Sequence, residues 1–150
     1  MAIDRSYLER NDTERARLRR LVERASDADL ARPIDGGWTV AATLAHLAHW
    51  DRGVIGALEE WERNDVQPWG GDADTINAAE LPRWQAMPPR AAAQVAVAAA
   101  EAVDEKVRSL PDAVVEAILA AGRTRLVDRS LHRRDHLDTL ERAVGEAGHR

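Results

Sequence analysis

Apolar residues recur along most of this chain at intervals of three and four, the spacing that gathers side chains on one face of an α-helix. Between Asp4 and Ala25, Tyr7, Leu8, Leu18, Leu21 and Val22 predict a first helix among many Glu and Arg residues. Ser26 to Gly37 contains Pro33 and the pair Gly36-Gly37 and reads as a loop, with one short turn at Asp27 to Leu30. Thr39 is a suitable N-cap for a second helix reaching about Asn64, in which Leu44, Leu47, Val54, Leu58 and Trp61 share a face. A second loop, Asp65 to Gly71, leads to a modest helical segment at Asp74 to Ala79, which Pro82 ends or bends. Pro88 and Pro89 suit the start of an alanine-rich third helix, Ala91 to Leu110, and Pro111 stops it. A short helix from Asp112 to Ala121 closes at Gly122, and a final helix is expected from about Arg123 to Val144, with Gly145 and Gly148 fraying the tail. No segment alternates with period two, so no sheet is expected. Four main helices with short and medium connections predict an all-α four-helix bundle with short extra helical segments.

The length of 150 residues and a hydrophobic share of 45% suit one domain, residues 1–150, with a single core. No run of about 18 apolar residues is present, and Met1 to Arg20 is charged where a signal peptide would be apolar, so a cytoplasmic protein without a membrane partner is expected. The net charge of −5 comes from interleaved acids and bases without a basic stripe, which argues against nucleic acid as a partner. There is no cysteine, which excludes disulfides, a cysteine nucleophile, iron–sulfur clusters and zinc fingers. Any metal must therefore be held by histidine and carboxylate.

Of the five histidines, His149 falls in the tail. His132 and His136 stand at i and i+4, so their β-carbons lie about 5–6 Å apart on one helical face, near enough to share an ion. Both border the stripe of Leu126, Leu137, Leu140 and Val144. In the second helix His46 lies at the edge of the apolar stripe, above Trp50, whereas His49 is nearly opposite it and is expected to be exposed and inert. His46 is thus the better third ligand, although such a pair also arises by chance and the plain alternative is ordinary packing. Asp51 falls seven residues after Leu44, on the stripe itself, where a carboxylate needs a partner, either an arginine or a ligand histidine. Arg133-Arg134 reads as a solvated face, and Trp38 and Trp50 as core or rim packing. A metalloprotease of the H-E-x-x-H type needs a glutamate after its first histidine, and Arg133 stands there instead.

The run Gly37-Trp38-Thr39-Val40 followed by Leu44-Ala45-His46-Leu47-Ala48-His49-Trp50-Asp51 resembles the second-helix motif of the DinB/YfiT-like superfamily. Asp74-Thr75-Ile76-Asn77-Ala78-Ala79 resembles the segment that follows it, and His132-Arg133-Arg134-Asp135-His136 the closing H-x-x-x-H. Relatives often carry an aromatic where Arg133 stands. The resemblance implies an up-and-down four-helix bundle, often a homodimer, with a divalent ion such as nickel, zinc or iron at one end. Its ligands here would be His46, His132 and His136, with Asp51 or Asp135 orienting a ligand ring from outside.

Three neutral imidazoles leave a coordination position open and the ion's charge uncompensated, which favours an anionic further ligand. A thiol there would lose its proton at neutral pH, and a water would become a stronger nucleophile. Since members of the superfamily include transferases and isomerases that use mycothiol or bacillithiol, the resemblance implies a metal-dependent transferase joining a low-molecular-weight thiol to an electrophilic substrate. The alternatives are a metal-dependent hydrolase and a stress-related bundle that binds metal without turnover.

Overall fold

The computed structural model describes residues 3–65 and 71–148. His149 lies outside them, as does most of the second loop, Pro68 and Gly70 included. In order along the chain come α1 (Tyr7–Arg24), the short α2 (Asp27–Leu30), α3 (Val40–Arg63), α4 (Ala73–Ala86), α5 (Pro89–Ser109), α6 (Asp112–Ala120), one 3₁₀ turn (Thr124–Leu126) and α7 (Ser130–Gly148). Among the described residues there is no strand, only an isolated antiparallel bridge between Pro33 and Thr39, and no helix is long and apolar enough to cross a membrane.

The expected four-helix bundle is built from α1, α3, α5 and α7. Arg17 of α1 reaches Asp138 and Glu141 of α7, and Arg10 reaches Asp128 just before it, so these two run parallel. The start of α3 packs with the end of α1 in one apolar cluster, while Lys106 near the end of α5 pairs with Glu62 near the end of α3. The chain directions are therefore up, down, down, up, because α4 carries the chain back along the bundle and lets α3 and α5 run the same way.

Three element boundaries differ from those expected. α4 continues past Pro82 to Ala86, at the cost of one helical hydrogen bond. Burial of Trp84, 3% exposed, and a bond from Gln85 Nε2 to the Gly37 carbonyl at 2.6 Å hold the far turn in place. The last helix starts at Ser130 and not near Arg123. Asp128 Oδ1 accepts from the Ser130 amide (3.2 Å), and Asn11 clamps the junction, accepting from the same amide (2.9 Å) and donating to the Val127 carbonyl (2.8 Å). At its other end α7 passes Val144 and Gly145 without a break and reaches Gly148.

The loop before α3 is a tight reversal. The Trp38 amide donates to the Asp35 carbonyl at 2.9 Å, with Gly36 at φ 57° and Gly37 at φ 84° between them. Both central residues need positive φ, which glycine adopts at little cost. Thr39 then caps α3, its side chain accepting from the Ala42 amide at 3.0 Å. The reversal seats Trp38 over the first turns of α3.

Core packing is split in two. One apolar cluster holds Leu18, Leu21, Leu44, Leu47, Ala96, Leu137 and Leu140, the other Tyr7, Val54, Leu58, Val103, Val107, Ile118 and Leu126. Along each bundle helix the passage from one to the other is marked by buried polar residues: Asn11 and Glu14 on α1, Asp51 on α3, Asp104 on α5, and Arg129 with Arg133 at the start of α7. A charged layer thus crosses the bundle between two apolar halves.

Candidate metal centre

His46 stands within the second turn of α3, and His132 and His136 lie in the first two turns of α7, which faces α3 antiparallel. The three rings meet, with centroids 5.0 Å apart for His46 and His132, 4.8 Å for His46 and His136, and 5.2 Å for His132 and His136. One nitrogen from each lies within 4.8 Å of the other two. The spacing of i and i+4 on one helix and the edge position of His46 on the other bring this about. His49 is not part of the group, and it is half-buried where exposure was expected, packed edge-on against Trp84 at 5.5 Å because α4 folds over that side of α3.

Tryptophans cover one side of His46. Trp38 meets His46 edge-on at 5.5 Å, and Trp84 meets it at 5.4 Å. Trp50 is half-buried and donates to Asn77 Oδ1 of α4 at 2.9 Å. Trp84 escaped the sequence reading because α4 has no apolar stripe to mark it; a lone aromatic on that helix was the available signal.

A guanidinium holds His132 from behind. Arg129 Nη2 lies 3.3 Å from His132 Nδ1, while Arg129 Nε donates to Asp51 Oδ1 at 3.0 Å. Arginine only donates, so Nδ1 accepts and the ring proton is assigned to Nε2. That nitrogen faces His46 Nε2 at 3.1 Å, which leaves the proton of His46 on Nδ1, a buried atom with no hydrogen-bond partner. The partner that Asp51 requires is thus an arginine, and Asp51 reaches the histidines only through it. Asp135 instead lies at the surface, paired with Arg125 at 3.5 Å.

The reading of Arg133-Arg134 as a solvated face holds for Arg134 alone. Arg133 is 1% exposed and grips both oxygens of Asp104 at 2.7 and 2.9 Å, with Asp51 at 3.7 Å. Four residues before Leu137 and seven before Leu140, it belongs to the same stripe, and only its charge disguised it. Asp104, four residues after the buried Ala100, is concealed in the same way.

Burial keeps the histidines neutral. It pushes His46 down to about 3, with a smaller contribution from His136, and His132 down to about 2, with the Arg129 charge second. His136 is lowered by burial as well, against the opposing effect of Asp135. The ordinary imidazole value is about 6.5, so between that pH and the depressed values the unfolded chain binds more protons than the folded one. Stability from this source is complete above about pH 6.5 and is lost as the pH falls. The melting temperature of chelator-treated protein is expected to drop from about pH 6.5 to pH 5, before most carboxylates titrate, and to drop less steeply in His132→Gln. A flat profile over that window would contradict this account.

Three neutral imidazoles converging from two helices fit a divalent cation: His46 and His136 can each turn a lone pair toward it, and His132 would bind through Nε2 by giving up the proton it carries there. The rings lie against a cavity of about 750 Å³, also lined by Trp38, Trp50, Asn77, Arg125, Leu126 and Arg129. Among curated proteins and among solved structures the chain has no match. A family model described as the DinB superfamily matches residues 10–150, nearly the whole length, and the chain belongs to that superfamily.

Proposed function

We propose that His46, His132 and His136 hold one divalent ion, nickel, zinc or iron, and that the protein is a metal-dependent transferase joining a low-molecular-weight thiol of the mycothiol or bacillithiol type to an electrophilic small molecule. The observation that carries this reading is the convergence of three neutral imidazoles, one buried and two half-buried, on the wall of an open cavity of about 750 Å³. When bound, the ion supplies positive charge and Lewis acidity, enough to ionise a thiol at neutral pH.

The chain supplies the rest. Trp38 and Trp84 exclude water from one side of the rings, which strengthens every electrostatic interaction there. The Asp51–Arg129 pair fixes the orientation of His132, although a guanidinium departs from the carboxylate or carbonyl that usually backs a ligand histidine. The cavity volume falls within the roughly 300–1,000 Å³ of small-molecule sites, which favours reaction with a ligand over metal binding alone.

The test is incubation of metal-loaded protein with mycothiol and an aryl halide. Product is expected to form above the buffered background, to require the thiol, and to disappear on chelation and in His132→Ala. No rate above background would favour a binding role, and turnover of an ester substrate without thiol would favour the hydrolase.

A further inference from the structure

Arg125, on the 3₁₀ turn before α7, lines the cavity that contains the three histidines. Its side chain is 60% exposed, and it pairs with Asp135, itself 57% exposed, at 3.5 Å. An exposed pair of this kind is worth about 0–1 kcal/mol, so the guanidinium can change partners readily. The second cation on the wall, Arg129, is committed: it is 5% exposed and spends its donors on Asp51, the Arg125 carbonyl and His132. One acid, Asp35, lines the cavity too, from the glycine reversal. Leu126 and the Trp50 ring add apolar surface to the lining of the same cavity.

We propose that the cavity takes a small organic carboxylate, whose acid group displaces Asp135 from Arg125 while its apolar body lies along Leu126 and its other end faces His132 and His136. This rests on the proposed metal-dependent activity and names its substrate class. The planar fork of arginine matches a carboxylate with two parallel hydrogen bonds, and the pocket walls lower the competition from water. Asp135 acts as a tethered competitor, one residue from His136, that holds the guanidinium when no substrate is present.

The test uses the full chain loaded with cobalt(II), whose visible spectrum changes when a thiolate joins its coordination shell. It is titrated with ω-mercaptocarboxylates of graded chain length and with the matching ω-mercaptoamides. At the best length the carboxylate is expected to bind about tenfold more tightly than its amide. Arg125→Gln should abolish that preference with amide binding unchanged, and Asp135→Asn should raise it roughly threefold by removing the competitor. Both side chains are exposed, so unchanged far-ultraviolet dichroism is expected. Cobalt bands that respond equally to acid and amide in all three proteins would overturn the subsite and leave the metal reading standing. Absence of cobalt bands would overturn the metal reading and the subsite with it.

Discussion

Arg133→Met is expected to lower the free energy of unfolding by roughly 3–5 kcal/mol, a large part of the 5–15 kcal/mol typical of a folded domain. The side chain it removes is 1% exposed and binds both oxygens of Asp104, itself 2% exposed. Loss of Arg133 leaves Asp104 and Asp51 with one arginine each in a low-dielectric interior, and these under-compensated charges are the source of the penalty. Arg15 remains on Asp104 at 2.6 Å and Arg129 on Asp51, so the fold should survive in weakened form. The double substitution Arg133→Met with Asp104→Leu removes both charges and should recover most of the loss, giving a coupling of opposite sign to the single effects. Urea denaturation reads all three, at unchanged slope. A cost below about 1 kcal/mol for Arg133→Met would mean that the charged layer is not what joins the two apolar halves.

His132→Ala is expected to weaken binding of a divalent ion by more than the roughly 10–100-fold that loss of an outer partner of a ligand costs. His132 stands between the other two rings and Arg129, so its removal leaves two nitrogens from different helices and no chelating pair within one helix. An ion at a thousand times its dissociation constant stabilises the folded state by about 4 kcal/mol, so the wild type should melt several degrees higher with metal than without it. That increment should vanish in the variant at the same ion concentration. Arg129→Gln, by contrast, should lose affinity within the smaller range, because it keeps all three imidazoles and removes only the guanidinium behind His132. Equal affinities for wild type and His132→Ala, measured by competition with a coloured chelator, would place any bound ion elsewhere.

The helices could be read from periodicity because each buries one apolar stripe, and the bundle followed from their number and connections. Most of the candidate centre was legible for the same reason: i and i+4 on α7 and the stripe edge on α3 specify which side chains face inward without knowledge of the fold. Asp51 announced its need for a counter-charge by lying on a stripe, yet Arg133 and Asp104 lie on stripes too, and their charge led to a surface reading of Arg133 and to no reading of Asp104. A charged residue at a stripe position on more than one helix was the sign that they pair with each other. What periodicity cannot carry is contact between distant elements. Asn11 of α1 decides where α7 begins, and Trp84 with Gln85 holds α4 together beyond Pro82. His49 is half-buried for the same reason, since the helix that covers it has no stripe of its own.

The central claim is that three imidazoles from two helices make one ion site. Elemental analysis tests it most directly, on protein purified without a histidine tag, exposed to nickel, zinc and iron(II), and then dialysed. The wild type should retain one ion per chain and His132→Ala much less. A wild type that retains no stoichiometric ion, or a variant that retains as much as the wild type, would contradict it.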